Sequence, residues 1–369
     1  MSTRKPAAPA FVAPPQDGPL PPWLQQQMLD LLQQRGHAWL LQGPSGLGQY
    51  AIALGLVRSW LCEQPQAGGS ACGHCESCHG VEVRTHPDLF VLMPETQLHE
   101  LDWPLGEKAQ KELDDKKRKP SKEIRIESMR DAVEFSQRTS SRNRGKAVLI
   151  YPAERMNHVT ANALLKTLEE PPGDVRFVLA TEAAHQLLPT IRSRCMTHTM
   201  AWPQQEQAAV WLEQQGLPAH DAAALLQAAG GRPHDALALA SQGVMAASWR
   251  QLPQAAWSGQ TAAFAGFTPL QAIDALQKIC HDAFLVRSGS VPRFFATEDF
   301  PTADRLAGWN LLTRWSRQLA RDRRSAEHPY NPGLFLEDLL SQARLALQPR
   351  RQPAGRAAGP AARPVANYR

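Results

Sequence analysis

The stretch LLQGPSGLGQY, from Leu40 to Tyr50, constrains the fold of this chain more than any other. An apolar run leads into a glycine-rich turn, and an apolar helical pattern follows from Ala51. Gly43, Gly46 and Gly48 permit the tight backbone turn that such a connection needs. The order of strand, glycine turn and helix resembles the start of a phosphate-binding loop and predicts an α/β domain.

The glycine turn lacks two side chains that nucleotide-binding loops carry. In the pattern G-x-x-x-x-G-K-[ST], the lysine reaches the β- and γ-phosphates and the hydroxyl binds Mg²⁺. Gln49 and Tyr50 stand at those two positions. Backbone N–H groups at the start of a helix still attract anions, so weak nucleotide binding stays open.

The acids of an ATPase site are missing as well. Such a site needs a buried strand that ends in carboxylates, which hold Mg²⁺. The matching strand is Ala147–Ile150, and Tyr151 and Pro152 follow it. Glu154 lies two residues further along and would serve only if the strand end were rearranged. Together these losses predict that the chain does not hydrolyse ATP and holds no ATP as a cofactor.

The composition places few limits on function. The chain has 369 residues, a net charge of +5 and 43% hydrophobic residues, which suits two or three domains with buried cores. The mild positive charge decides nothing about nucleic acid. No apolar stretch is long enough to span a bilayer and the first twenty residues lack a signal-peptide pattern, so we expect a cytoplasmic protein without membrane contact.

Hydrophobic patterning predicts an α/β domain followed by helices. Strands are expected at Ala38–Leu41, Leu89–Leu92, Ala147–Tyr151 and Arg176–Ala180, alternating with helices around a parallel sheet. After Pro203 only helical patterns remain. Leu311, Leu312, Trp315 and Leu319 share one helical face, and Leu336, Leu339, Leu340, Ala343 and Leu347 share another. We expect both faces to pack mainly inside a helical bundle, with a fraction of these residues left to face a partner.

Three segments are predicted to lie outside the packed cores. Residues 1–20, rich in Pro and Ala, are expected to be a disordered extension. Residues 349–369 carry five arginines and no acid, which is typical of a disordered basic tail. The charged stretch 95–123 is expected to be a solvated surface insertion, with DNA contact as the alternative.

Four cysteines indicate a metal site. Cys62, Cys72, Cys75 and Cys78 follow the spacing C-x9-C-x2-C-x2-C. In a reducing compartment such a cluster favours metal binding over disulfides. Four thiolates can surround Zn²⁺ as a closed tetrahedron, which is the usual arrangement of structural zinc. We therefore predict a structural zinc module at residues 62–80. His74, His79 and His86 lie near enough in sequence to replace a cysteine, although a surface position is the commoner outcome.

Several separated motifs together resemble one family. They are, in order, the four-cysteine module, THPD (85–88), NALLKTLEEPP (162–172), FVLAT (177–181) and RSRC (192–195). In this combination the chain resembles the delta-prime subunits of the bacterial DNA polymerase III clamp loader, which have an AAA+ fold. NALLKTLEEPP and RSRC are shared with the ATPase subunits of that complex, so the degenerate glycine loop is what points to delta-prime.

The resemblance implies a three-domain chain. It would comprise an AAA+ α/β domain at 21–203 containing the zinc module, an all-α lid at 204–243 and an all-α collar at 244–348. It also implies a non-hydrolysing subunit of the DNA polymerase III holoenzyme that joins gamma/tau ATPases and delta in a hetero-pentameric ring. That ring would load the sliding clamp onto primed DNA.

The resemblance further implies a catalytic role in trans for Arg194, the arginine of the SRC segment. In the family this arginine reaches into the ATP site of the neighbouring ATPase subunit, and a guanidinium suits that task because it is planar and permanently charged. From spacing alone, Arg192 and Arg194 would only pair with acids. Thr181 matches a γ-phosphate-sensing position and is expected to be structural here. His234 stands where active members carry a lid arginine, if Asp235 is the matching anchor.

Two other functions remain as alternatives. One is an active AAA+ clamp-loader ATPase with an unusual loop. The other is a zinc-dependent nucleic-acid-binding protein, although the cysteine module lacks interleaved aromatic residues for base stacking. Lys166, Glu169 and Glu170 could face a neighbouring subunit or DNA, and a solvated helix surface explains their charges equally well.

Overall fold

The computed structural model describes residues 18–115, 117–326 and 331–348. The predicted basic tail and nearly all of the predicted N-terminal extension lie outside these described residues. By internal contacts the chain divides into two compact units, residues 1–243 and 244–369. Among the described residues, no helix combines the length and apolar character that a membrane span requires.

A five-stranded parallel sheet organises the first unit. The order across the sheet is β2-β3-β4-β1-β5, and every neighbouring pair is parallel. The strands are β1 (Ala38–Gln42), β2 (Leu89–Leu92), β3 (Lys146–Ile150), β4 (Val175–Thr181) and β5 (Met196–Thr199). The prediction of a parallel sheet is confirmed, and four of its strands lie where the sequence predicts them, within one residue at each end.

Helices cover both faces of this sheet. They are α1 (Pro22–Leu32), α2 (Gln49–Leu61), α3 (Glu76–Glu82), α4 (Glu95–Glu100), α5 (Glu107–Asp114), α6 (Ile126–Gln137), α7 (His158–Glu169), α8 (Pro189–Arg192), α9 (Gln205–Gln214), α10 (Ala219–Ala228) and α11 (Pro233–Ser241). Alternate strand residues enter two separate cores, so Trp39 and Leu41 pack on the α1 and α2 side while Leu40 packs on the α7 side. Helices α9, α10 and α11 pack on one another.

The stretch 95–123 corrects a prediction, because it is not simply a solvated insertion. It contains α4 and α5, and Trp103 is 7% exposed within the core beside α2. Glu95 is also buried and accepts hydrogen bonds from Arg118, at 2.8 Å between Nη2 and Oε1, and from the backbone N–H of Ser121. Leu101 and Trp103 enter the core while Leu98 packs against it, and these few apolar residues stand among charged ones, so the sequence pattern did not reveal them.

The described part of the second unit is helical. It comprises α12 (Ala246–Ser258), α13 (Pro269–Arg287), α14 (Trp309–Ser325) and α15 (Pro332–Leu347), joined by loops and short 3₁₀ turns. Helix α13 packs against both α14 and α15, and α12 also packs against α15. The two predicted apolar faces do pack inside: Leu312, Trp315 and Leu319 are buried on α14, as are Leu339 and Leu340 on α15.

Candidate functional site

The glycine turn leaves the carboxyl end of β1 and runs directly into α2. Gly46 and Gly48 have φ angles of 76° and 91°, a region that favours glycine, and Gly48 caps the N-terminus of α2. The N–H of Gly43 donates to the carbonyl of Thr181 at the end of β4. The sheet and the helix therefore fix the turn in the position where a phosphate-binding loop would stand.

Gln49 fills the turn with its own side chain. Its Nε2 donates to the carbonyl oxygens of Gly43 and Pro44, both at 2.7 Å, and the residue is 2% exposed. A lysine here would offer an ammonium group to phosphates, whereas the Gln49 amide is neutral and already engaged with the backbone. The turn thus lacks the cation that binds a triphosphate.

Tyr50 is a core residue rather than a metal ligand. It is 3% exposed, and its ring lies 5.2 Å from the ring of Tyr151. Its hydroxyl oxygen accepts a hydrogen bond from Nε1 of Trp103 at 2.7 Å. The side chain in the Mg²⁺-ligand position therefore packs inward and links the glycine turn to the 95–123 segment.

A carboxylate from the helical segment after Pro203 closes over the turn. Asp235, in the first turn of α11, accepts a hydrogen bond from the hydroxyl of Ser45 at 2.9 Å. A Cβ atom on Gly46 would collide with this carboxylate, which shows how closely the two groups pack. Because like charges repel, an Asp235 carboxylate against the turn opposes the binding of a phosphate at the same place.

Arg232 and His234 strengthen this closure. Nη2 of Arg232 lies 3.0 Å from Oδ2 of Asp235, and its Nη1 donates to the Ser45 hydroxyl at 2.9 Å. The backbone N–H of His234 donates to the carbonyl of Gly46, and burial lowers the pKa of its ring. His234 is half-buried beside the turn, and the lowered pKa disfavours the cationic form of its ring.

The strand ends beside the turn also use their polar groups internally. Glu154 accepts hydrogen bonds from the Thr181 hydroxyl at 2.7 Å and from the N–H of Glu182. Tyr151 donates through its hydroxyl to Glu182. Burial, with Glu154 and Asp235 nearby, raises the pKa of Glu182. Glu154 and Thr181 thus join the end of β4 to the turn that follows β3.

The four cysteines converge. Their sulfur atoms all lie within 4.8 Å of one another, so the cluster can bind a metal ion. Cys62 directly follows α2, and Cys75 caps the N-terminus of α3. Cys72 lies in the loop between these two helices, and Cys78 lies within α3. The Sγ atoms of Cys62 and Cys75 are 3.9 Å apart, as are those of Cys72 and Cys78, which is too far for a disulfide.

Backbone groups around the cluster favour thiolates. The sulfurs of Cys62, Cys72 and Cys75 accept hydrogen bonds from the N–H groups of Cys72, Cys75 and Cys78, at 3.3 to 3.4 Å. N–H donors stabilise negative sulfur and orient metal-binding thiolates. Four thiolates in closed geometry fit a structural Zn²⁺ site. No histidine joins the cluster among the described residues: His74 and His79 are exposed, and His86 is buried beside Asp88.

A network that the sequence analysis missed links the cysteine module to the sheet. Asp88, at the end of the THPD motif, is fully buried and accepts hydrogen bonds from the N–H groups of Ser141 and Arg142. Arg142 in turn donates through Nη1 to Glu63 at 2.6 Å and to Glu76 at 3.0 Å. These two glutamates directly follow Cys62 and Cys75 in the sequence. The available sequence signal was an aspartate between a proline and an apolar strand, because a carboxylate at the start of a buried strand needs hydrogen-bond donors from the protein.

Arg194 lies just after α8, partly exposed. Its Nη2 is 3.0 Å from Oε2 of Glu169, and its Nη1 donates to the carbonyl of Thr190. Lys166, in the last turn of α7, and Glu170, directly after that helix, are also exposed. In the structure Arg194 therefore pairs with Glu169. Its contacts among the described residues do not include the glycine turn of its own chain, which is also distant in sequence.

Sequence comparisons find a matching family model and similar proteins. A family model described as "DNA polymerase III, delta subunit" matches residues 25–203. The chain is 39% identical over 228 residues to DNA polymerase III subunit delta′ of Pseudomonas aeruginosa, covering 60% of this chain and 62% of the relative. It is 35% identical over 224 residues to subunit delta′ of Escherichia coli K12, covering 59% and 60%.

The chain is also similar to a second kind of subunit. It is 32% identical over 214 residues to DNA polymerase III subunit tau of Escherichia coli K12, covering 56% of this chain and 29% of the relative. The matched region spans about three fifths of the length of the two delta′ relatives. On the family match and the likeness to several delta′ subunits, this chain resembles the delta′ subunits of DNA polymerase III over about three fifths of its length.

Proposed function

We propose that this chain is a non-hydrolysing subunit of a DNA polymerase III clamp loader. In that role it joins gamma/tau ATPases and delta in a five-membered ring that places the sliding clamp on primed DNA. The α/β domain at 21–203 carries the glycine turn, with a lid at 204–243 and a collar at 244–348. Such a complex works in the cytoplasm. The family and the likeness to tau support a place beside these subunits.

The observation that carries the non-hydrolysing role is the occupied glycine turn. The Gln49 amide binds the backbone of the turn, and the Asp235 carboxylate packs against Gly46. Binding a triphosphate there would require the Gln49 and Asp235 side chains to move and would break the Asp235–Arg232 ion pair that closes over Ser45. The turn therefore serves packing: it connects β1 to α2 and gives α11 a surface to close on.

We propose that the four cysteines hold a structural Zn²⁺. With four sulfur ligands the ion has no open position for substrate, so it supplies folding free energy rather than chemistry. Cys62 and Cys75 would tie the end of α2 to the start of α3. The module would thereby fix the helices that lead into β2 and, through Arg142, the loop before β3.

We propose that Arg194 acts in trans on the ATP of a neighbouring subunit. Its pairing with Glu169 is a partly exposed ion pair, with side-chain exposures of 29% and 59%. Pairs of this kind contribute about 0 to 1 kcal/mol, so a phosphate can replace the carboxylate at little cost. A guanidinium that reaches a γ-phosphate from the next subunit stabilises charge in the transition state.

The test is an assembled complex with Arg194→Ala. We expect unchanged folding and unchanged co-purification with the ATPase and delta subunits, because the side chain is on the surface. We expect ATP turnover by the complex to fall roughly tenfold or more, given that arginine fingers elsewhere contribute about 10³ to 10⁵ in rate and several sites contribute to the total.

Arg192→Ala is the matched control, since Arg192 is exposed two residues before Arg194, at the end of α8. It should leave turnover near the unmodified rate. A complex with Arg194→Ala that turns over ATP normally in the presence of clamp and primed DNA would disprove the role in trans. Failure of the unmodified chain to co-purify with these subunits would disprove the proposed place in the ring.

A further inference from the structure

A groove on the second unit has no role in the function proposed above. It runs between α14 and α15, has a volume of about 660 Å³ and is open to solvent along one side. That volume lies within the range of natural binding sites for small molecules and short peptide segments. Leu311 of the predicted apolar stripe lines it, so this is where part of that stripe turns away from the bundle core.

The floor of the groove is apolar. Leu311, Trp315, Leu345 and Ala346 contribute to it, and the Leu345 side chain is 66% exposed. These apolar side chains share one concave surface between the two helices. The apolar area can be removed from water only by another molecule or segment that fits between the helices.

Two buried polar atoms in the groove lack partners among the described residues. Trp315 is 3% exposed, and its Nε1 has no acceptor. Gln342 donates through Nε2 to Asp338 at 2.7 Å, while its Oε1 is buried without a donor. Buried donors and acceptors are nearly always satisfied, so both atoms point to a missing ligand. A peptide backbone offers the needed carbonyl and N–H together.

The lining carries positive charge. Arg314, Arg321 and Arg344 line the groove, and none of them forms an ion pair with a described carboxylate. Asp322 and Asp338 lie beside the groove and are bonded to glutamine side chains, and burial raises the pKa of Asp322. The chain beyond residue 348 holds five arginines and no acid, so its charge does not complement the groove.

We propose that this groove binds an acidic, amphipathic peptide segment of a partner protein. The partner's leucine-like side chains cover Leu311 and Leu345, and its carboxylates pair with the three arginines. Its backbone satisfies Trp315 and Gln342. A nucleic acid matches the charge but not the apolar floor, because Trp315 is buried and offers no face for base stacking.

The test measures fluorescence anisotropy of a labelled probe peptide with the full chain. The probe alternates glutamates with pairs of leucines, and a second probe replaces every leucine with serine. We expect saturable binding of the first probe and at least about tenfold weaker binding of the second. The double variant Arg314→Glu/Arg321→Glu should also weaken binding of the first probe about tenfold or more.

The matched control is Arg317→Glu/Arg324→Glu, since both residues are exposed on α14 outside the groove. It should bind the first probe within about twofold of the unmodified chain. The proposal is overturned if no saturable binding occurs, if both double variants lose affinity equally, or if the leucine-free probe binds as well. Displacement of the probe by oligothymidylate at equal charge concentration would likewise show a general anion surface and overturn it.

Discussion

Single carboxylates, one buried and one partly exposed, organise two parts of this chain that the sequence pattern leaves undefined. Asp235 closes α11 onto the glycine turn, and Asp88 holds the loop before β3. In each case a carboxylate accepts several hydrogen bonds from groups that would otherwise be unsatisfied. The two aspartates therefore act at opposite ends of the sheet as fixed points for loops, rather than as reacting groups.

Asp88 makes the free energy of unfolding depend on pH. Burial opposes its ionisation, but the N–H groups of Ser141 and Arg142, the Ser140 hydroxyl and Lys146 outweigh burial, so its pKa lies below the usual value. A lowered pKa stabilises the fold above the unfolded-state value of about 3.9, and that contribution disappears as the pH falls through the folded value.

We therefore predict that Asp88→Asn lowers the free energy of unfolding by about 2 to 4 kcal/mol near neutral pH. The difference between variant and parent should shrink as the pH falls below about 4, because the parent loses its own contribution there. Urea unfolding at several pH values measures both effects. The control, Glu134→Gln, breaks an exposed pair with Arg138 and should change stability by less than about 1 kcal/mol. A difference that does not vary with pH would contradict the assignment.

At the scale of elements, the cysteine module is an independent test of the fold. We predict that Cys75→Ser abolishes stoichiometric zinc binding and lowers the melting temperature, because the site loses a sulfur ligand while the serine hydroxyl can still cap α3. Metal analysis of the purified protein measures the first effect and a thermal melt the second. Cys195→Ser is the matched control, since this cysteine lies outside the cluster, and it should retain zinc. Retention of zinc by Cys75→Ser would contradict the four-cysteine site.

The 95–123 segment gives a second prediction at this scale. Trp103→Ala removes a buried side chain and the donor to Tyr50, and should cost about 3 to 5 kcal/mol. Trp103→Phe keeps an aromatic side chain but loses the hydrogen bond and part of the buried volume of the indole, so it should cost about 1 to 3 kcal/mol. Denaturant unfolding of the two variants measures the difference. Near-equal stability of parent and Trp103→Ala would mean that the segment is peripheral to the core.

Elements with strong apolar patterns could be predicted from sequence, and elements attached by single polar contacts could not. The strands β1, β3 and β4 are largely buried and β2 is partly buried, and all four have apolar runs that identify them. The edge strand β5 has the sequence MTHT and is largely exposed, so it lacks any such run. Its pairing with β1 is set by the tertiary structure, which local pattern does not encode.

The candidate sites divide in the same way. The fixed spacing of Cys62, Cys72, Cys75 and Cys78 predicted their convergence, because short loops leave little choice. Sequence also located the missing lysine and hydroxyl at Gln49 and Tyr50. It did not predict that Asp235, far along the chain, would pack against Gly46. Contacts over such a separation depend on how whole elements dock, and one sequence carries no direct record of that.

At the scale of the whole molecule, the first unit combines a parallel sheet with a glycine turn that its own side chains occupy. Under the function proposed above, the occupied turn would suit a subunit that takes part in a ring of ATPases without hydrolysing ATP itself. The zinc module and Arg194 then extend its contribution, the first to its own stability and the second to a neighbour's reaction. Both contributions rest on the proposals above.

Equilibrium binding of magnesium ATP to the isolated chain tests the central claim most directly. Titration calorimetry should detect no saturable binding, and a parallel assay should detect no ATP turnover, because Gln49 and Asp235 occupy the turn and no metal ligands replace those that are missing. Tight, magnesium-dependent binding at one site, with steady hydrolysis that a substitution of Gln49 abolishes, would contradict the account.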